Sequence, residues 1–190
     1  MQGGQVRWDR LFADLEGQLE AAAAGRLDAD IADRTRRELA ATTFEGRLRA
    51  AAGRVVELSV AGIGAMTGEL RRVGPGWLMV EIAGGPPAVV AARFVTAARD
   101  LPVATREIDD ASQDPATGLV AVLRVLARDR TATAVVLATG ATFTGTVDRV
   151  GTDYLDLAEH SLDEPRRSSV IRGVRTLATS AVAVLRPRLE

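Results

Sequence analysis

Met66-Thr67-Gly68-Glu69-Leu70-Arg71-Arg72-Val73-Gly74 returns further along the chain as Phe143-Thr144-Gly145-Thr146-Val147-Asp148-Arg149-Val150-Gly151, with Gly68, Arg72, Val73 and Gly74 standing on Gly145, Arg149, Val150 and Gly151. At the same offset Trp77-Leu78 falls on Tyr154-Leu155. Self-similarity of this kind marks a duplicated structural unit. Around the first copy the apolar residues recur at nearly every second position. Val55, Val56, Leu58 and Val60 lead into a turn at Gly62 to Gly64, and Met66, Leu70 and Val73 run to a second turn at Gly74-Pro75-Gly76. Trp77 to Ile82 and Val89 to Val95 follow, separated by Gly84-Gly85-Pro86-Pro87. Short alternating runs with glycine and proline between them read as strands of a small β-barrel rather than an α/β layer.

Each copy has a helix ahead of its strands. Before the second copy, Asp114-Pro115 supplies an N-cap followed by proline at the first helical position, and the helix runs through Leu119, Leu123 and Leu126 to Arg128. Leu48 to Ala52 is its counterpart in the first. The organisation expected is a helical segment over 1–45, a first unit over 46–103, an acidic linker over 104–114 and a second unit over 115–190. In the first segment Trp8, Leu11, Phe12, Leu15 and Leu19 fall at three- and four-residue spacings with acidic residues between them. That stripe predicts a helix that packs on the rest of the chain or on a partner.

Composition narrows the chemistry. The 190 residues include no cysteine, lysine or asparagine, and one histidine, His160. Disulfides, thiolate nucleophiles, cysteine-bound metals, a P-loop lysine and a Schiff-base lysine are therefore excluded. All basic residues are arginine, which with the abundant alanine fits a GC-rich coding sequence. A formal net charge of -1 argues against a protein that coats nucleic acid. No apolar run approaches the roughly 20 residues of a membrane-spanning helix. The N-terminus lacks a basic stretch leading into an apolar one, so the expected location is the cytoplasm.

In the second unit, Gly145-Thr146-Val147-Asp148-Arg149-Val150-Gly151-Thr152-Asp153-Tyr154-Leu155-Asp156-Leu157 resembles the first Sm motif, and Val170-Ile171-Arg172-Gly173 resembles the second. The chain is also similar to proteins of GC-rich bacteria that share a helix-plus-tandem-barrel layout. The resemblance implies an α+β fold: an N-terminal helical segment followed by two small, strongly bent antiparallel five-stranded Sm-like/SH3-like barrels. It departs at the ligand-binding tip, with Gly151 where the family has aspartate and Leu155 or Asp156 where it has asparagine. A carboxylate at that tip repels phosphate.

The catalytic inventory is poor. His160 lies among Asp156, Glu159, Asp163 and Glu164, but on a strand Glu159 points away from Asp156 and His160, which reads as a solvated strand end rather than a metal site. Ser168 and Ser169 are not in a nucleophile elbow. No cofactor or metal is expected, and the chain reads as non-enzymatic. The last quarter is basic, with Arg166, Arg167, Arg172, Arg175, Arg186 and Arg188. Two functions compete. One is an interaction or assembly protein, a homo-oligomer or the binder of a protein partner, using the helix stripe and the barrel edges. The alternative is a regulatory RNA- or DNA-binding protein using Arg166, Arg167, Arg172, Arg175 and Tyr154.

Overall fold

The computed structural model describes residues 33–37, 39–105, 118–163 and 167–188. The chain divides into two compact units, residues 1–42 and 43–190. In the first, residues 33–37 are helical, and the Asp33 carboxylate pairs with Arg36 at 3.5 Å and Arg37 at 3.3 Å, all three side chains exposed. Trp8, Leu11, Phe12, Leu15 and Leu19 lie outside the described residues.

The second unit opens with helix α1 (Phe44–Ala50), whose start is fixed by Thr43, its Oγ1 accepting from the Gly46 N–H at 3.0 Å. Strands β1 (Val55–Val60), β2 (Gly64–Gly74), β3 (Trp77–Glu81), β4 (Ala88–Ala91) and β5 (Val95–Arg99) follow. Helix α2 (Leu119–Arg128) leads into β6 (Ala132–Leu137), β7 (Thr142–Val150), β8 (Tyr154–Glu159), β9 (Gly173–Ala178) and β10 (Val182–Pro187). The run from Val89 to Val95 is divided between β4 and β5, because a 3-10 turn at Ala92–Phe94 redirects the chain; the same turn at Thr179–Ala181 separates β9 from β10. The cap of α2 is Gly118; Asp114 and Pro115, expected to start it, lie outside the described residues.

The duplication is reproduced pair by pair. In the first repeat Glu57, Leu58, Ser59 and Val60 face Arg99, Ala98, Ala97 and Val95, with a bulge before the last pair. In the second, Ala134, Val135, Val136 and Leu137 face Arg186, Leu185, Val184 and Val182, with the same bulge. A further bulge falls between Leu70 and Arg72 and again between Val147 and Arg149, where a strand turns a corner. The conserved spacing of glycine and aromatic has a physical cause. The Trp77 ring lies against the Cα of Gly74, and the Tyr154 ring against that of Gly151, so a Cβ at either glycine would overlap the ring.

The ten strands of the described residues form one antiparallel sheet in the order β5-β1-β2-β3-β4-β10-β6-β7-β8-β9. Where two small five-stranded barrels are expected from the sequence, the strands run as two five-strand halves of this one sheet, which is not closed, joined where β4 pairs with β10 through Val90 opposite Val184 and Val89 opposite Leu185. These strands are apolar at successive positions because both of their faces are covered. Val184 packs into one cluster with Leu58, Leu70 and Val90, while Leu185 packs into the other with Leu123, Leu155 and Leu157. One strand thereby completes both cores. Arg93 reinforces the joint, its Nη2 donating to the carbonyls of Thr179 at 2.7 Å, Ser180 at 3.0 Å and Val182 at 3.2 Å.

Candidate functional site

The arginines singled out from the sequence do not form a single free basic face. Arg166 lies outside the described residues. Arg167 and Arg172 are exposed, ahead of β9, and Arg175 is exposed on β9 itself. Arg175 is already engaged: Nε donates to Glu159 Oε1 at 2.7 Å, Nη2 donates to Oε2 at 3.2 Å, and the guanidinium sits 4.4 Å from the Phe143 ring centroid. The Glu159 hydrogen bond holds its pKa above the usual arginine value. Tyr154 is exposed, but one ring face is covered by Gly151. Beside it in the sheet, Thr176 donates to Asp156 at 2.7 Å. Arg167, Arg172 and the outer face of Tyr154 are therefore what remains of that candidate surface for an anionic ligand.

His160, expected at a solvated strand end, is buried, with 1% of its surface exposed. Its Nδ1 lies 2.7 Å from the Ser161 carbonyl, which can only accept, so the proton is on Nδ1. Nε2 is 2.8 Å from Thr146 Oγ1. Both ring nitrogens are thus spoken for by the protein. Polar sequence neighbours suggested exposure, but the backbone pairs inward, the His160 N–H donating to the Thr144 carbonyl at 3.1 Å and Thr144 Oγ1 to the His160 carbonyl at 2.9 Å. Among the described residues no group of three or more His, Asp or Glu side chains is placed to hold a metal ion. No helix among them is long and apolar enough to cross a membrane.

Two features stand out as sites. The first gives the barrel edges named from the sequence their place at the ends of the sheet: among the described residues β5 and β9 each have a strand on one side only. The second is a groove of about 1120 Å³ where the repeats meet, walled by the Gly84-Gly85-Pro86-Pro87 loop of the first and by Leu162, Asp163 and Arg186 to Arg188 of the second. Comparison with protein-family models, characterised proteins and solved structures returns no match to this chain.

Proposed function

We propose that the protein is a non-enzymatic assembly protein built on two tandem Sm-like/SH3-like barrels, which joins other chains through its sheet edges. The observation that carries this reading is the joint inside the chain. The register equates β9 with β4 and β5 with β10, so the two outer strands are the repeat counterparts of the two that pair at the centre. A second chain adding at either end would continue a contact the fold already makes. In the equivalent register Arg99 would stand opposite Arg175, each accompanied by its own carboxylate, Glu57 and Glu159. Four charges at one joint make such a contact sensitive to salt.

Light scattering coupled to size exclusion, at low and high salt, tests the reading. An oligomer is expected, and placing lysine at Ala97 and Thr176, the counterparts of buried Val184 and Val89, should return it to a monomer. A wild-type chain that stays monomeric at high concentration, without a partner, removes self-assembly.

The nucleic-acid reading is favoured by one observation, the exposure of Arg167 and Arg172 with no side-chain partner among the described residues. It predicts RNA or DNA carried through purification, released by salt and lost in the Arg167→Ala/Arg172→Ala variant.

A further inference from the structure

The first repeat supplies an internal control for a position in the second. On β5, Arg99 stands directly across from Glu57 on β1, and the two form an ion pair at 3.3 Å. On β10, Arg186 occupies the same register beside β6, but the residue across from it is Ala134. The carboxylate is gone. In its place is the groove at the repeat junction, with Ala134 and Arg186 both in its wall.

Arg186 has lost its counter-charge without gaining another. It is half-buried, its Nε is enclosed with no acceptor, and among the described residues no carboxylate lies within ion-pair distance. An enclosed donor with no partner is unfavourable, and a cation half out of water more so. The remaining charges of the groove are settled. Asp163 is held by Arg188 at 3.0 Å, and Arg71 takes Glu69 at 2.7 Å and Glu81 at 3.0 Å. Between them the wall is apolar, with Ile82, Pro86 and Pro87 on the side of the first repeat.

We propose that this groove binds a small monocarboxylate with an apolar body. Its carboxylate takes the place beside Arg186 that Glu57 holds beside Arg99, and its hydrocarbon lies along Ile82, Pro86 and Pro87. A guanidinium suits a carboxylate because two N–H groups meet two oxygens. A single negative charge matches the one cation left unpaired among the described residues of the groove, whereas a phosphate dianion brings a second negative charge into a groove already lined by Glu69 and Glu81. Neither repeat forms the site alone.

The probe is hexanoate, titrated into the full chain and followed by amide chemical shifts, with hexanamide and inorganic phosphate as comparisons. Saturable binding is expected with a dissociation constant on the order of 1 mM, with shifts in residues 82–87. Hexanamide should bind at least about tenfold more weakly, and so should hexanoate to Arg186→Gln. Ala134→Glu restores the internal carboxylate and should abolish hexanoate binding while leaving the circular dichroism and melting temperature of the chain no lower than before. Ala134→Glu leaves Arg186 itself in place, and its circular dichroism and melting curve report its folding, so it decides the matter even if Arg186→Gln folds poorly. No saturation by hexanoate, equal binding of the amide, unchanged binding in Ala134→Glu, or tighter binding of phosphate would each overturn the assignment.

Discussion

Val184 belongs to the second repeat by sequence, yet its side chain is fully buried in the core of the first. Replacing it by alanine removes two methyl groups, at about 0.8 kcal/mol each by transfer, and the space left behind brings the loss to about 2 kcal/mol. That is about 30-fold in the unfolding equilibrium. Since β10 is hydrogen-bonded to β4 on one side and β6 on the other, both repeats should share the loss. Native-state hydrogen exchange at the amides of Leu58 and Leu157, one in each core, reads this directly. Both are expected to exchange about 30-fold faster in Val184→Ala, with one urea transition of unchanged slope. Acceleration at Leu157 with Leu58 unmoved, or two separable transitions, would show that the repeats fold independently and refute the shared-strand argument.

The strand corners give a second prediction. A Cβ at Gly145 would overlap the Ala158 carbonyl oxygen, while at Gly68 it would stand 2.5 Å from the Glu81 carbonyl oxygen, so Gly145→Ala should cost more than Gly68→Ala. Chemical denaturation should place the losses between about 1 and 3 kcal/mol, in that order; a reversed order sinks the close-approach explanation. Arg93→Ala removes three hydrogen bonds across the joint from a residue that is itself exposed, and a loss of about 1 kcal/mol should lower the melting temperature by about 2–4 °C. An unchanged melting curve would mean that β4 and β10 hold without it.

The duplication was legible because glycine, arginine and aromatic positions each answer a local demand: a bent strand, a bulge, a ring resting on a bare Cα. Helices α1 and α2 and the β1–β2 and β6–β7 hairpins follow from the same short-range rules. The joint was harder to read, since pairing between β4 and β10 joins segments distant in sequence, and no turn announces it. Its trace lies in Ala88-Val89-Val90-Ala91 and Val182-Ala183-Val184-Leu185, runs with no polar face, which signal strands covered on both sides. The point of division between β4 and β5 has no marker in the sequence, since Ala92-Arg93-Phe94 contains neither glycine nor proline. Arg186 was submerged in a basic stretch. What sets it apart is Ala134 standing where the first repeat has Glu57, and that comparison requires the strand register as well as the sequence.

Completing two cores with one strand also orders events during synthesis. Among the described residues β10 is the last of the ten strands in chain order. A chain emerging from the ribosome therefore exposes every strand of its first repeat, with Leu58 and Leu70 in place, well before Val184 arrives to close that core. The first repeat must wait, with the β4 edge open, for the whole of the second to be made. During that interval the open β4 edge and the exposed core offer a chaperone, or a neighbouring nascent chain, the surface that β10 later takes.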